Sequence, residues 1–171
     1  MLASWHGRYG VPSSMIMIIP KPFDRADKSS LGCVALNSII LQVDLRLSIP
    51  RVIHKFLSFW GIAPTQLCPN GWRTLIATLI LWDQLANFEL SVEQFNSLFT
   101  FKEDGRSSGW WYTSVRSRTS GSLVLDTPSS IKKWKEEFFY VSRNWEFHTV
   151  DVDREDVVPK FCHALCKQHL L

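Results

Sequence analysis

Apolar residues recur along this chain in two rhythms, one near every second position and one near every third or fourth, and each predicts a different element. Met15-Ile16-Met17-Ile18-Ile19 is a continuous apolar run closed by Pro20, which predicts a short strand or extended segment. Pro20-Lys21-Pro22 keeps the chain extended, and the polar stretch from Asp24 to Ser30 predicts an exposed loop. Between Ile39 and Leu47 the apolar residues fall at 39, 41, 43, 45 and 47, with Gln42, Asp44 and Arg46 alternating. That is the period of a half-buried strand.

Helical spacing takes over at Pro50, a residue suited to a first turn. Ile49, Ile53, Phe56, Leu57 and Trp60 share one face, and Gly61 is placed to stop the helix. After the turn segment Ile62 to Leu67, Asn70 is a candidate N-cap, because its side-chain oxygen can accept from the free amides of the next turn. Trp72, Leu75, Ile76, Leu79 and Ile80 then form the expected buried stripe. Ser91 with Gln94 predicts a capping box for a short helix that buries Phe95, Leu98 and Phe99. Lys102 to Gly109 reads as a loop. Trp110 to Val115 is aromatic and β-branched and is expected to pair in a hairpin with Leu123-Val124-Leu125 across a Gly-containing turn. Ile131 to Glu136 predicts a helical turn or loop, and Phe138-Phe139-Tyr140-Val141 a buried strand that joins the hairpin. Val158, Phe161, Cys162, Leu165 and Cys166 have helical spacing at the end.

The expected fold is therefore α+β, a single domain with a helical half over about 49–100 and a small antiparallel sheet built on a hairpin over about 110–142. A length of 171 residues suits one domain with a real core. The apolar content of 46% against 20% charged residues is that of a folded globular chain, with disorder expected at residues 1–8 and in a loop or two. The most apolar stretch, Leu75 to Trp82, falls far short of the roughly 20 residues that a membrane span needs. With four cysteines in no disulfide spacing and no secretory signal, an intracellular chain is expected, nuclear or cytoplasmic without distinction.

Candidate chemistry is sparse. Cys162, His163, Cys166 and His169 do not have the spacing of a zinc knuckle, and buried helix cysteines explain them better than a metal site. The acids Asp44, Asp83, Asp104, Asp126, Asp151, Asp153, Glu155 and Asp156 fall at polar strand faces, helix ends and turns, not in the gathered set that a two-metal nuclease or integrase requires. No nucleophile, base and orienting partner can be assembled, so no catalysis, cofactor or small-molecule substrate is expected. One patch carries binding potential. Lys102, Arg106, Arg116, Arg118, Lys132, Lys133 and Lys135 are interleaved with Trp110, Trp111, Tyr112 and Trp134, and cations beside rings are what single-strand nucleic-acid binders use. Asp104, Asp126, Glu136 and Glu137 dilute it, and the net charge is only +3.

Several ordered motifs resemble the plant gypsy-type transposon domain found in retrotransposon-derived, Gag-related proteins. They are Tyr9-Gly10-Val11-Pro12 with Ile19-Pro20, Leu45-Arg46-Leu47 before Pro50, Gly61 through Leu67, Pro69-Asn70-Gly71-Trp72-Arg73, Gly109-Trp110-Trp111-Tyr112, and Pro128-Ser129-Ser130 through Trp134-Lys135 to Val141. The resemblance covers roughly residues 9–147 and leaves residues 148–171 as a helical tail. The sequence departs from the family pattern at Thr113 and Ser114, where aromatic residues are more usual, and at Lys133 and Glu137, where glycine and a basic residue are more usual. The resemblance carries no settled activity, but its retrotransposon context favours a non-catalytic assembly module in which a helical face and a sheet edge mediate self-association as Gag-type proteins do, and the short apolar stretches predict no membrane partner. The alternative is weak, sequence-independent binding of RNA or single-stranded DNA, and a transposase-type enzyme comes third.

Overall fold

The computed structural model describes residues 7–9, 11–28, 32–42, 45, 47, 49–105, 109–116 and 133–142. Its elements are strand β1 (Ile16–Ile18), strand β2 (Cys33–Asn37), helix α1 (Ile39–Gln42), helix α2 (Arg51–Trp60), a 3-10 turn (Pro64–Gln66), helix α3 (Pro69–Leu85), helix α4 (Val92–Leu98), and strands β3 (Phe99–Glu103), β4 (Trp111–Val115) and β5 (Phe138–Ser142). The fold is α+β, with two small antiparallel sheets. In the first, β5 lies between β1 and β2, with Met17 opposite Val141 and Leu36 opposite Phe139. The second is the β3–β4 hairpin.

Helix α2 follows its pattern closely. Pro50 precedes it with extended backbone, and Ile53, Phe56 and Leu57 are buried. Gly61 ends it at φ 61, a left-handed conformation that glycine adopts without a Cβ clash. Gly61 N donates to Ser58 O and Ile62 N to Leu57 O, the paired bonds of a Schellman end. Helix α4 carries the expected capping box: Gln94 N donates to Ser91 Oγ at 3.1 Å, and Ser91 N donates to Gln94 Oε1 at 2.8 Å.

Several expectations need correction. The alternation from Ile39 to Leu47 does not make a strand: Ile39–Gln42 is a short helix, with Leu45 and Leu47 buried after it. The strand lies just before, at Cys33–Asn37, where every residue is buried, so no polar alternation marks it. Asn70 is not the cap of α3. Cys68 holds that position, its Sγ accepting from Gly71 N at 3.3 Å with Pro69 in the first turn, while Asn70 lies inside the helix and its Oδ1 accepts from Arg73 Nη1 at 3.0 Å. Burial pushes the Cys68 thiol up from its ordinary pKa, against a smaller opposite pull from the amides around it.

Two strand pairings were not expected. Trp111–Val115 pairs with Phe99–Glu103, so the stretch from Lys102 is partly strand, and β5 joins β1 and β2 instead of the hairpin. Phe99 and Phe101 alternate inward, which favours this pairing by burying both rings. Leu123–Leu125 and the helix expected over 158–166 lie outside the described residues.

One apolar cluster joins both sheets to the helices. Met17, Leu36, Phe139 and Val141 belong to it together with Phe56, Leu57, Trp72, Leu75, Phe95 and Phe101. Phe56 meets Phe95 edge to face at 5.1 Å, and Phe95 stacks on Phe101 at 5.6 Å, geometries that ring quadrupoles favour. The segment from Ile62 to Leu67 runs through this core with only the single 3-10 turn at Pro64–Gln66, so most of its polar groups need partners elsewhere. Trp72 Nε1 donates to Pro64 O at 3.2 Å, and Asn37 Nδ2 to Thr65 O at 3.0 Å. Gln66 accepts from Ala63 N at 2.8 Å and donates to Gly109 O at 2.8 Å, tying the segment to the hairpin turn.

Candidate functional site

The aromatic and basic residues expected to share one binding patch separate into two environments. Trp110 and Trp134 pack edge to face with centroids 4.9 Å apart, and Lys135 Nζ lies 4.9 Å from the Trp110 ring centre and 5.7 Å from that of Trp134. Lys135 is also 3.9 Å from Asp104 Oδ2. This lysine is engaged by two rings and a carboxylate, and the rings are engaged by each other. Trp111 is half-buried on the inner side of the hairpin, and its carbonyl accepts from Cys68 N at 2.8 Å. Trp72 is fully buried, and Arg73 is half-buried beside Asn70. None of these tryptophans is presented as an open stacking platform.

What faces outward is the other side of the hairpin. Lys102 is directly opposite Tyr112, and Thr100 opposite Ser114. Strand alternation carries Arg116, whose N donates to Leu98 O at 2.9 Å, onto the same face. Lys102, Tyr112 and Arg116 are exposed, and among the described residues no ion pair engages either cation. Lys133 is exposed on the turn before β5, with φ 61. Arg106, Arg118 and Lys132 lie outside the described residues.

A second surface was not anticipated from the sequence. The C-terminal half of α3, the start of α2 and the loop after α3 enclose an open groove of about 690 Å³. Ile53, Ile76, Leu79, Ile80, Trp82 and Phe88 supply apolar lining, and Asp83, Asn87 and Glu89 its polar part. Ile80, expected in the buried stripe, is 51% exposed, because the buried face of α3 turns through Gly71, Trp72, Thr74, Leu75 and Thr78. Phe88 is 60% exposed while meeting Trp82 edge to face at 5.8 Å, and neighbouring Leu85 is 85% exposed. The legible signal was an apolar Phe88 and Leu90 in a short loop of otherwise polar character. Glu89 pairs with Lys55 at 3.4 Å across the exposed rim.

Among the described residues no cluster of three or more His, Cys, Asp or Glu side chains is arranged to hold a metal ion, and no helix is long and apolar enough to cross a membrane. No protein-family model, no curated protein and no solved structure matches the chain.

Proposed function

We propose that this chain is a non-catalytic assembly module of the retrotransposon-derived, Gag-related kind, and that its groove is a surface for self-association. The observation that carries the reading is the groove itself, an apolar concavity with Ile80, Leu85 and Phe88 left in water at or beside its rim. Exposed apolar surface of this kind is costly in water and marks contact sites. The resemblance to the plant gypsy-type transposon domain supplies the assembly context. It gains support from Lys133, which adopts the left-handed backbone that favours glycine, at the position where glycine is usual in that family. Binding of single-stranded RNA or DNA is supported less well, because Trp110, Trp134 and Lys135 are engaged with one another and, among the described residues of the patch, Lys102, Tyr112, Arg116 and Lys133 remain open.

Sedimentation velocity over a hundredfold concentration range tests the reading. The parent should gain mass with concentration, and Ile80→Glu, at an exposed position that tolerates the change, should weaken association at least tenfold. A parent that stays monomeric throughout, or an Ile80→Glu variant that associates as the parent does, refutes it.

A further inference from the structure

We propose that self-association is head to tail, with the groove of one copy receiving the outward hairpin face of the next, Tyr112 against the apolar lining and Lys102 and Arg116 toward Asp83 and Glu89. This rests on the assembly reading and names its second surface.

Charge is the first argument. Helix α3 has no basic residue in its last turn and carries Asp83 there. The C-terminal carbonyls of a helix form a partially negative pole, which a carboxylate aggravates and a cation relieves. Among the described residues Asp83 has no ion-pair partner, so no described cation offsets that pole. Glu89 is held only by an exposed pair with Lys55, a class of contact weak enough to exchange.

The hairpin face has the complementary character. Lys102 lies directly opposite Tyr112, and Arg116 follows beyond Ser114 at the end of the same strand, while Asp104, at the far end of that face, is paired with Lys135 at 3.9 Å. Tyr112 offers a ring that can be buried while its hydroxyl stays at a wet rim. Four residues separate Tyr112, which is opposite Lys102, from Arg116, an extended span of about 13 Å. The groove occupies α3 from Ile76 to Asp83, a helical span of about 10 Å, so the two features are of similar length.

The two surfaces of one copy cannot meet each other. Trp111, next to Tyr112, is bonded to Cys68 at the start of α3, and Asp83 lies about 22 Å further along the same helix. A contact between the groove of one copy and the hairpin face of the next leaves one of each free, so that growth continues into a ring or an open filament.

Complementary variants of the full chain test this by sedimentation velocity and mass photometry. Ile80→Glu disables the groove, and the double variant Lys102→Glu/Arg116→Glu disables the hairpin face. Each alone should associate at least tenfold more weakly than the parent. Mixed in equal amounts they should form pairs that grow no further, since one intact groove and one intact hairpin face remain. Raising salt from 50 to 500 mM should weaken the parent contact, because exposed charges are screened, and adding Asp83→Lys/Glu89→Lys to the hairpin double variant should restore growth. If Ile80→Glu abolishes association while the hairpin double variant associates normally, the groove meets another groove and this proposal fails, while the assembly reading stands. If the hairpin double variant loses only its affinity for a labelled single-stranded RNA oligonucleotide, the face is a nucleic-acid contact and the proposal fails as well. A mixture that behaves as the two separate variants do also overturns it.

Discussion

Trp72 is buried on every side, and its indole nitrogen is used to satisfy the carbonyl of Pro64. Replacing it by Ala removes ring contacts and leaves that carbonyl in the core, at a cost of about 3 to 5 kcal/mol. Asn70 is not the helix cap, and its bond to Arg73 is only part-buried. Asn70→Ala should therefore cost less than the ring, about 0.5 to 1.5 kcal/mol for a part-buried hydrogen bond. Urea denaturation of the two variants measures the contrast, and equal losses would place Trp72 outside the core. Gly71 offers a test with the opposite sign from helix propensity, which favours Ala over Gly by about 1 kcal/mol. A Cβ at this position would stand 2.5 Å from Leu67 Cδ1 and 2.9 Å from its Cγ. Leu67 is fully buried and cannot simply swing away. Gly71→Ala is expected to destabilise by about 1 to 3 kcal/mol, and a gain in the urea midpoint would show that Leu67 has room to move.

At the scale of elements, local signals succeed where the element satisfies its own ends. Helix α4 is seven residues long, too short to persist by propensity alone. It is held by its reciprocal Ser91 and Gln94 bonds and by Phe95 in the aromatic stack. Ser91→Ala should cost about 0.5 to 2 kcal/mol in thermal or urea unfolding, and a neutral outcome would mean that the stack alone orders the helix. The same locality made α2 legible, since its apolar face and Gly61 end lie within a dozen residues. Helix α3 was legible in position and misread in detail. A thiol is a weak acceptor that gives a poorer sequence signal than Asn70 two residues on, and the apolar spacing continues through Ile80, past the point where the helix is covered. For the hairpin, the aromatic strand was recognised and its partner was not, because Phe99–Glu103 directly continues a helix and contains Lys102 and Glu103.

Across the whole molecule, the first sheet depends on a strand that arrives about a hundred residues after its neighbours. β5 stands between β1 and β2, with Phe139 and Val141 fully buried, and Tyr140 Oη donates to Arg25 O at 2.8 Å to hold the 21–28 loop. Ending the chain after Glu137 should therefore abolish cooperative unfolding, followed by circular dichroism and tryptophan fluorescence, instead of merely freeing a tail. A truncated chain that melts as sharply as the parent, at the same temperature, would show that the sheet is dispensable.

By itself, the sequence determined the α+β class, helix α2 with its ends, helix α4 with its capping box but not its end, a strand or extended segment around Ile16–Ile18, the strand at Phe138–Ser142, and the burial of Trp72. These depend on interactions within a turn or two of chain, or on apolar runs that must be buried wherever they lie. Only the tertiary structure decided which strands pair, that Ile39–Gln42 is helical, that Cys68 caps α3, that Lys135 is held between two rings and a carboxylate, and that Ile80 and Phe88 border an open groove. The physical reason is common to them: periodicity states that one face of an element must be covered, while the partner that covers it, or its absence, is settled by contacts between residues far apart in the chain.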